Sequence, residues 1–160
     1  MNKLLSSLKN EPFSRRHIIN MYQEHDLVST RGLFPCAYET IWSVRKVNNK
    51  YFLDLTLIQR SNDFLMAGYI NKIQYSALQM MVAGHCGYNI GKFCHFVQNL
   101  HIYDRHFAAA KELIEKTPLE KQPILLLKEN KNFYDYVIDD FEIVGLDGIT
   151  KLETNLEIAI

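Results

Sequence analysis

Residues 36–58 read Cys36-Ala37-Tyr38-Glu39-Thr40-Ile41-Trp42-Ser43-Val44-Arg45-Lys46-Val47, then Asn48-Asn49-Lys50, then Tyr51-Phe52-Leu53-Asp54-Leu55-Thr56-Leu57-Ile58. Two runs rich in β-branched and aromatic side chains flank a polar turn-former, and this pattern predicts a β-hairpin. Downstream, Asn71 to Cys86 carries Ile73, Ala77, Met80, Met81 and Gly84 at helical steps with no proline inside, which predicts a long apolar helix stopped at Gly87. A helix this apolar is expected to be buried on most sides. Strands interrupted by one such helix imply an α+β domain, a layered antiparallel or mixed sheet packed on the helix.

The remaining elements are read outward from that centre. Leu4, Leu5 and Leu8 predict a short helix ending before Pro12, and His17 to Tyr22 is a β-type run. Glu24 to Gly32 reads as a polar connection. Phe93 to Tyr103 predicts a strand, and Asp104 is placed to cap a helix through Lys116. Ile124 to Leu127, Phe133 to Val137 and Phe141 to Val144 are expected as short strands.

The chain has 160 residues, 48% apolar and 22% charged, with 18 basic residues balanced by 18 acidic ones. The length favours one domain over 1–160, and the charge balance argues against a general nucleic-acid binder or a membrane-surface protein. Cys36, Cys86 and Cys94 are too few and too scattered for a disulfide scaffold, so free thiols in a reducing compartment are expected. The N-terminus lacks the apolar run of a signal peptide, and no run approaches the roughly 20 residues that span a bilayer. A cytoplasmic protein follows as the expectation.

Three clusters hold chemistry: Leu33-Phe34-Pro35-Cys36-Ala37-Tyr38, then Gln59-Arg60-Ser61-Asn62-Asp63 running on to Asn71, then His101-Ile102-Tyr103. Alone, each has a bland alternative. A single cysteine is more often a small core residue than a nucleophile, and a His-x-Tyr is more often packing. Asn71 by itself reads as a helix cap, and Arg15-Arg16 as a solvated turn.

Taken in order, the clusters resemble the thymidylate synthase family. The resemblance runs from about Leu4 to Ile160 and rests on Ser14-Arg15-Arg16, Pro35-Cys36, Gln59-Arg60-Ser61-x-Asp63, Asn71, His101-x-Tyr103 and the final Glu157-Ile158-Ala159-Ile160. It implies methylation of dUMP to dTMP, with 5,10-methylenetetrahydrofolate as one-carbon donor and reductant and no metal. It assigns Cys36 the covalent attack on pyrimidine carbon 6. A free thiol titrates at about 8.5, and a nearby cation stabilises the thiolate, a role that falls to Arg60. Arg60 and Ser61 would also hold the nucleotide phosphate, whose charge is about −2. Gln59 would help to position the nucleotide. Asn71 offers one donor and one acceptor to uracil, and it could cap the helix as well. His101 and Tyr103, facing the same way on a strand, would reach the sugar 3′-hydroxyl. Asp63 would order the pteridine and a bound water, and the tail ending in Ile160 would fold over the folate.

By the same resemblance Arg15 and Arg16 are donated to a neighbour's phosphate site, which implies a homodimer that needs neither membrane nor nucleic acid. Cys86 and Cys94 are read as structural. The family pattern is broken at Ala37, where many members have His, and by the brevity of the stretch before Cys36. The glutamate that the family uses for proton transfer has no match in Glu11, Glu24 or Glu39. The chain reads as a catalytic portion shortened at its N-terminus: a truncated gene, a C-terminal piece, or a chain completed by another polypeptide. Two further readings stay open, a pyrimidine nucleotide hydroxymethylase and a catalytically weak nucleotide-binding or dimerising fragment.

Overall fold

The computed structural model describes residues 1–28, 32 and 34–157. Helix α1 (Asn2–Asn10) is followed by β1 (Ile18–Asn20), α2 (Glu24–Leu27), β2 (Ala37–Val47), β3 (Lys50–Asp63), α3 (Gly68–Cys86), β4 (Asn89–His101), α4 (Phe107–Glu115), β5 (Ile124–Leu127) and β6 (Phe141–Val144). The first four strands form one sheet in the order β1-β2-β3-β4, and β5 pairs with β6 in a separate antiparallel ribbon. The sheet is mixed, because β3 and β4 run parallel with α3 as their crossover. Parallel neighbours require such a crossover, whereas the antiparallel β2–β3 pair needs only a tight turn.

That turn is made by Asn48 and Asn49, both at positive φ (49° and 61°) between the paired residues Val47 and Lys50. Two successive left-handed residues match the right-handed twist of a hairpin, and asparagine tolerates that conformation better than other side chains with a Cβ.

Residues alternate across the sheet. Trp42, Val44, Leu53 and Leu55 point to one face, where Leu4, Leu5 and Leu8 of α1 and Val82 and Ala83 of α3 bury them. Each such leucine contributes about 1.5–3 kcal/mol by leaving water. Gln79 of α3 is buried with this core, and its amide donates to the carbonyls of Leu53 (2.8 Å) and Lys92 (3.1 Å). These acceptors lie where the β3–β4 register slips, since Leu53 pairs with Ile90 but Leu55 with Phe93. The extra residue in β4 bends the strand there. Gly91 sits in the bulge, where a Cβ would stand 2.6 Å from the Leu53 carbonyl oxygen.

Several sequence expectations need correction. Phe133–Asp135 forms a 3₁₀ turn instead of opening a strand, because Asp135 N–H bonds back to Asn132 and Phe133 N–H donates to His85 Nδ1. Residues 24–27 of the polar connection are helical. The helix expected from Asp104 is preceded by a 3₁₀ turn, Asp104–His106, and the Asp104 side chain caps nothing. Finally, α3 is covered mainly on its sheet side. Tyr69, Ile70 and Ile73 are exposed, and an open apolar cavity of about 630 Å³ lies between α3 and the β5–β6 ribbon.

Candidate active site

The three sequence clusters meet at one end of the sheet. Ala37 pairs with Gln59, and Arg60 N–H donates to the Cys36 carbonyl (2.9 Å), so the start of β2 lies against the end of β3. Across the other edge of β3, Asp63 pairs with His101, and Phe64 N–H donates to the His101 carbonyl. Strand pairing alone therefore gathers Cys36, residues 59–63 and His101.

Arg60 is the link to the cysteine. Its Nε donates to the Pro35 carbonyl (3.0 Å) and its Nη2 to the Phe34 carbonyl (2.8 Å), the two residues before Cys36. Two donors of one rigid guanidinium fix both the loop and the cation beside it. Arg60 remains exposed and lines a shallow depression of about 380 Å³ with Asn20, Tyr22 and Tyr38. Cys36 is half-buried, and its Sγ donates weakly to the Phe34 carbonyl at 3.9 Å. By contrast, burial pushes the Cys86 thiol up, with Lys9 opposing weakly, while Cys94 is exposed on the far side of the sheet from the core.

Asn71 belongs to the first turn of α3, after Ala67 at the N-cap, so its side chain caps nothing. Its Oδ1 instead accepts from Gln59 Nε2 (3.1 Å) and Asn62 Nδ2 (2.9 Å). Asn62 Nδ2 also donates to Gln59 Oε1 (2.8 Å), and that oxygen meets His95 Nε2 at 2.6 Å. Gln59 is 1% exposed and Asn62 3%, so this amide network is shielded from water, which strengthens each bond. Asn71 Oδ1 is thus engaged twice by protein.

Asp63 does structural work first. Its Oδ1 accepts from the N–H groups of Leu65 (3.1 Å) and Met66 (3.3 Å), turning the chain into α3. Its Oδ2 lies 3.7 Å from Nδ1 of His106, which is 1% exposed. His106 Nε2 in turn meets the Glu157 carbonyl at 2.8 Å, so one buried imidazole stands between Asp63 and the tail. Sequence reading missed His106, and its only signal was a histidine five residues past His101. Tyr103 lies just beyond β4, yet its ring sits edge-on to His101 with centroids 4.9 Å apart, so the two side chains converge as expected. Ser61 is half-buried beside them in β3, paired with Asn99. Ile160 lies outside the described residues.

Arg15 and Arg16 stand apart. Ile18 pairs with Ile41 and Asn20 with Glu39, so Arg16 lies level with about Ser43. That is roughly 23 Å along β2 from Cys36, at about 3.3 Å per residue. Both arginines are exposed. Among the described residues no three His, Cys, Asp or Glu side chains converge as a metal ligand set. No helix among them is long and apolar enough to cross a membrane.

A family profile described as thymidylate synthase matches residues 1–158. The chain belongs to the thymidylate synthase family. It is 45% identical over 162 residues to thymidylate synthase of Streptococcus pneumoniae and 46% identical over 163 residues to that of Lactococcus lactis subsp. cremoris. Each alignment covers 100% of this chain and 58% of the relative. The fold is similar to thermostable thymidylate synthase A from Bacillus subtilis, with a TM-score of 0.85, 35% identity, and coverage of 97% of this chain and 54% of that one. The chain thus spans a little over half the length of these thymidylate synthases.

Proposed function

We propose that the chain is the nucleotide-binding, nucleophile-bearing part of a thymidylate synthase that converts dUMP to dTMP. In this reading the Cys36 thiolate adds to pyrimidine carbon 6, which makes carbon 5 nucleophilic toward the methylene group of 5,10-methylenetetrahydrofolate. The folate then supplies the hydride, and the thiolate leaves. The observation that carries the reading is the Arg60 clamp on the Phe34 and Pro35 carbonyls, which ties a guanidinium to the two residues that lead into the cysteine. Arg60 and Ser61 are the phosphate ligands within the subunit, and Gln59 positions the base-reading Asn71. His101 and Tyr103 are set for the sugar. Asp63, with the tail that ends in Ile160, serves the folate.

The partner is a second copy of the chain. Arg15 and Arg16 are too far from their own Cys36 to serve its site, and their exposure suits donation to a neighbour. The outer sheet face offers Ile18, 49% exposed, and Phe96, 55% exposed, for that contact. A cytoplasmic location accords with free thiols and with metabolite substrates.

The test is a covalent one. A fluorinated dUMP analogue with the reduced folate is expected to form an adduct on Cys36, visible by mass spectrometry and absent in Cys36→Ser. Tritium release from labelled dUMP measures turnover. An intact Cys36 after incubation, with no tritium released, would falsify the assignment. Asn71 disfavours the hydroxymethylase reading, because its amide N–H suits the uracil carbonyl and opposes the cytosine amine. A methyl product, in place of a hydroxymethyl one, would settle that choice.

A further inference from the structure

The C-terminal segment is fastened to α4 and its approach at three points, and the last of them reaches the candidate site. Lys116 Nζ donates to Thr150 Oγ1 (3.1 Å) and to the Lys151 carbonyl (3.0 Å). The two oxygens of Glu112 accept from the N–H groups of Glu153 (2.8 Å) and Thr154 (3.0 Å). Those donors, Thr154 first and then Glu153, hold the Glu112 carboxyl pKa down to about 2. His106, the residue before α4, then meets the Glu157 carbonyl at 2.8 Å. The anchors step back along α4 as the segment advances, so its last described residue shares a partner with Asp63.

The His106 ring is buried, so protein neighbours decide what each of its nitrogens does. A carbonyl oxygen only accepts, so Nε2 carries the proton that reaches Glu157. Nδ1 faces Asp63 Oδ2 at 3.7 Å, beyond the reach of an N–H···O bond, and has no hydrogen-bond partner among the described residues. It therefore holds a lone pair, and two acceptors confront each other. That repulsion keeps Oδ2 off the ring, while Oδ1 is taken by the N–H groups of Leu65 and Met66. Among the described residues Oδ2 receives no donor, which is the state in which a ligand N–H can claim it. Tyr103 packs edge-on against the same ring, with centroids 6.1 Å apart.

We infer that His106 is a positioning residue that joins two parts of the folate site, holding the tail by its Nε2–H and keeping Asp63 Oδ2 open with its Nδ1 lone pair. A reduced folate then meets the carboxylate and the tail as one unit. The folate clause rests on the proposed function, and the division of labour between the two nitrogens does not. Buried as it is, the ring acts through its neighbours and not on a ligand itself.

Three measurements on the full chain decide it. Two-bond ¹H–¹⁵N spectra of the ligand-free protein are expected to show His106 protonated at Nε2 alone, and a proton on Nδ1 overturns the inference. Amide ¹⁵N relaxation then compares His106→Phe, which keeps a ring against Tyr103 but loses both nitrogens, with His106→Gln, which restores a donor. Order parameters at Leu156 and Glu157 are expected to fall from about 0.85 to below about 0.6 in the Phe variant and to recover in the Gln variant. Glu153 and Thr154, held by Glu112, are expected to stay unchanged. Unchanged values at Leu156 and Glu157 in a folded Phe variant overturn the inference.

The third measurement titrates the reduced folate against adduct formation on Cys36 with a fluorinated dUMP analogue. The Phe variant is expected to need about tenfold more folate, while its calorimetric affinity for dUMP stays within about threefold. An unchanged folate requirement, or an equal loss for dUMP, overturns the inference. If the Phe variant fails to fold, Asp63→Asn decides together with the spectrum of the unaltered chain. The Leu65 and Met66 N–H groups keep the amide oxygen, so the new Nδ2 turns to the ring and the Nδ1 resonance is expected to move upfield. An unmoved resonance overturns the inference. If the unaltered chain forms no adduct while Nε2 alone is protonated and the tail loosens in the Phe variant, the folate reading fails and the role of the ring stands.

Discussion

The two faces of the four-stranded sheet are built from the same strands, yet only one of them is closed. On the inner face Leu53, Leu55 and Trp42 lie under α1 and α3. On the outer face Ile18 and Phe96 remain open, and Cys94 is exposed two residues before Phe96 on β4, in the same register row as Thr56, Ile41 and Ile18. Water penalises both sets of side chains alike, so the contrast lies in what covers them. The inner face is finished by the chain itself, and the outer face by the proposed second copy. Strands buried on both sides read as continuous apolar runs, as Leu53 to Ile58 nearly does, and that pattern alone does not say which side is covered from within.

The largest expected effect tests the closed face. Leu55→Ala removes a side chain packed on all sides and is expected to cost about 2–5 kcal/mol, read from the midpoint of a denaturant titration. A smaller cost would show that the inner core can collapse around the gap. Next comes the seam between the two faces. Gly91→Ala places a Cβ against the Leu53 carbonyl and the Asp54 carboxylate, and overpacking of this kind costs about 1–3 kcal/mol. The same titration would reveal it, and a neutral result would mean that the bulge opens without strain.

The open face is tested by Phe96→Asp. Self-association followed by sedimentation is expected to weaken at least tenfold, about 1.4 kcal/mol, while the unfolding of the dissociated chain shifts by no more than about 0.5 kcal/mol. Unaltered association would remove Phe96 from the interface. The smallest effect lies at the polar end of that face. Burial alone would raise the Asp54 pKa, but the Arg45 guanidinium and the Lys92 N–H (2.6 Å) outweigh it and hold the carboxyl below its ordinary range. A carboxylate lowered by folding contributes its stability above the ordinary carboxylate pKa and loses it as pH falls through the lowered value. Asp54→Asn is therefore expected to flatten the acid limb of the stability curve below about pH 4, by about 0.2–1 kcal/mol, with little change in slope above it.

Much of the fold was legible because local chemistry and tertiary role agree. The hairpin at Asn48-Asn49, the stop at Gly87 and the strands β5 and β6 all follow from side chains acting on their own backbone. Reading failed where a distant partner decides. Gln59 to Asp63 look like the polar end of a strand, yet they continue β3 because β4 pairs with them, and they are polar because the candidate site is made there. Phe133 to Val137 has strand composition, but His85 and local turns claim its backbone. The parallel pairing of β3 with β4 leaves no periodic trace.

The candidate site divides in the same way. Family resemblance named Cys36, Arg60, Asn71 and His101; strand register gathers Cys36, Arg60 and His101 at one end of the sheet, and Asn71 of α3 is tied to them through Gln59 and Asn62. It could not name His95 or His106, whose importance comes from what they touch. Nor could it say that Asn71 spends its oxygen on protein, since an amide's two ends look alike until their neighbours are known.

His106 holds the tail by a peptide oxygen, the carbonyl of Glu157, and not by any side chain. Such a tether ignores the identity of residue 157 and depends on spacing alone. Swapping that glutamate for another residue should pass unnoticed, whereas inserting one residue after Thr154 would offer the imidazole the wrong carbonyl and slide everything beyond it by one place.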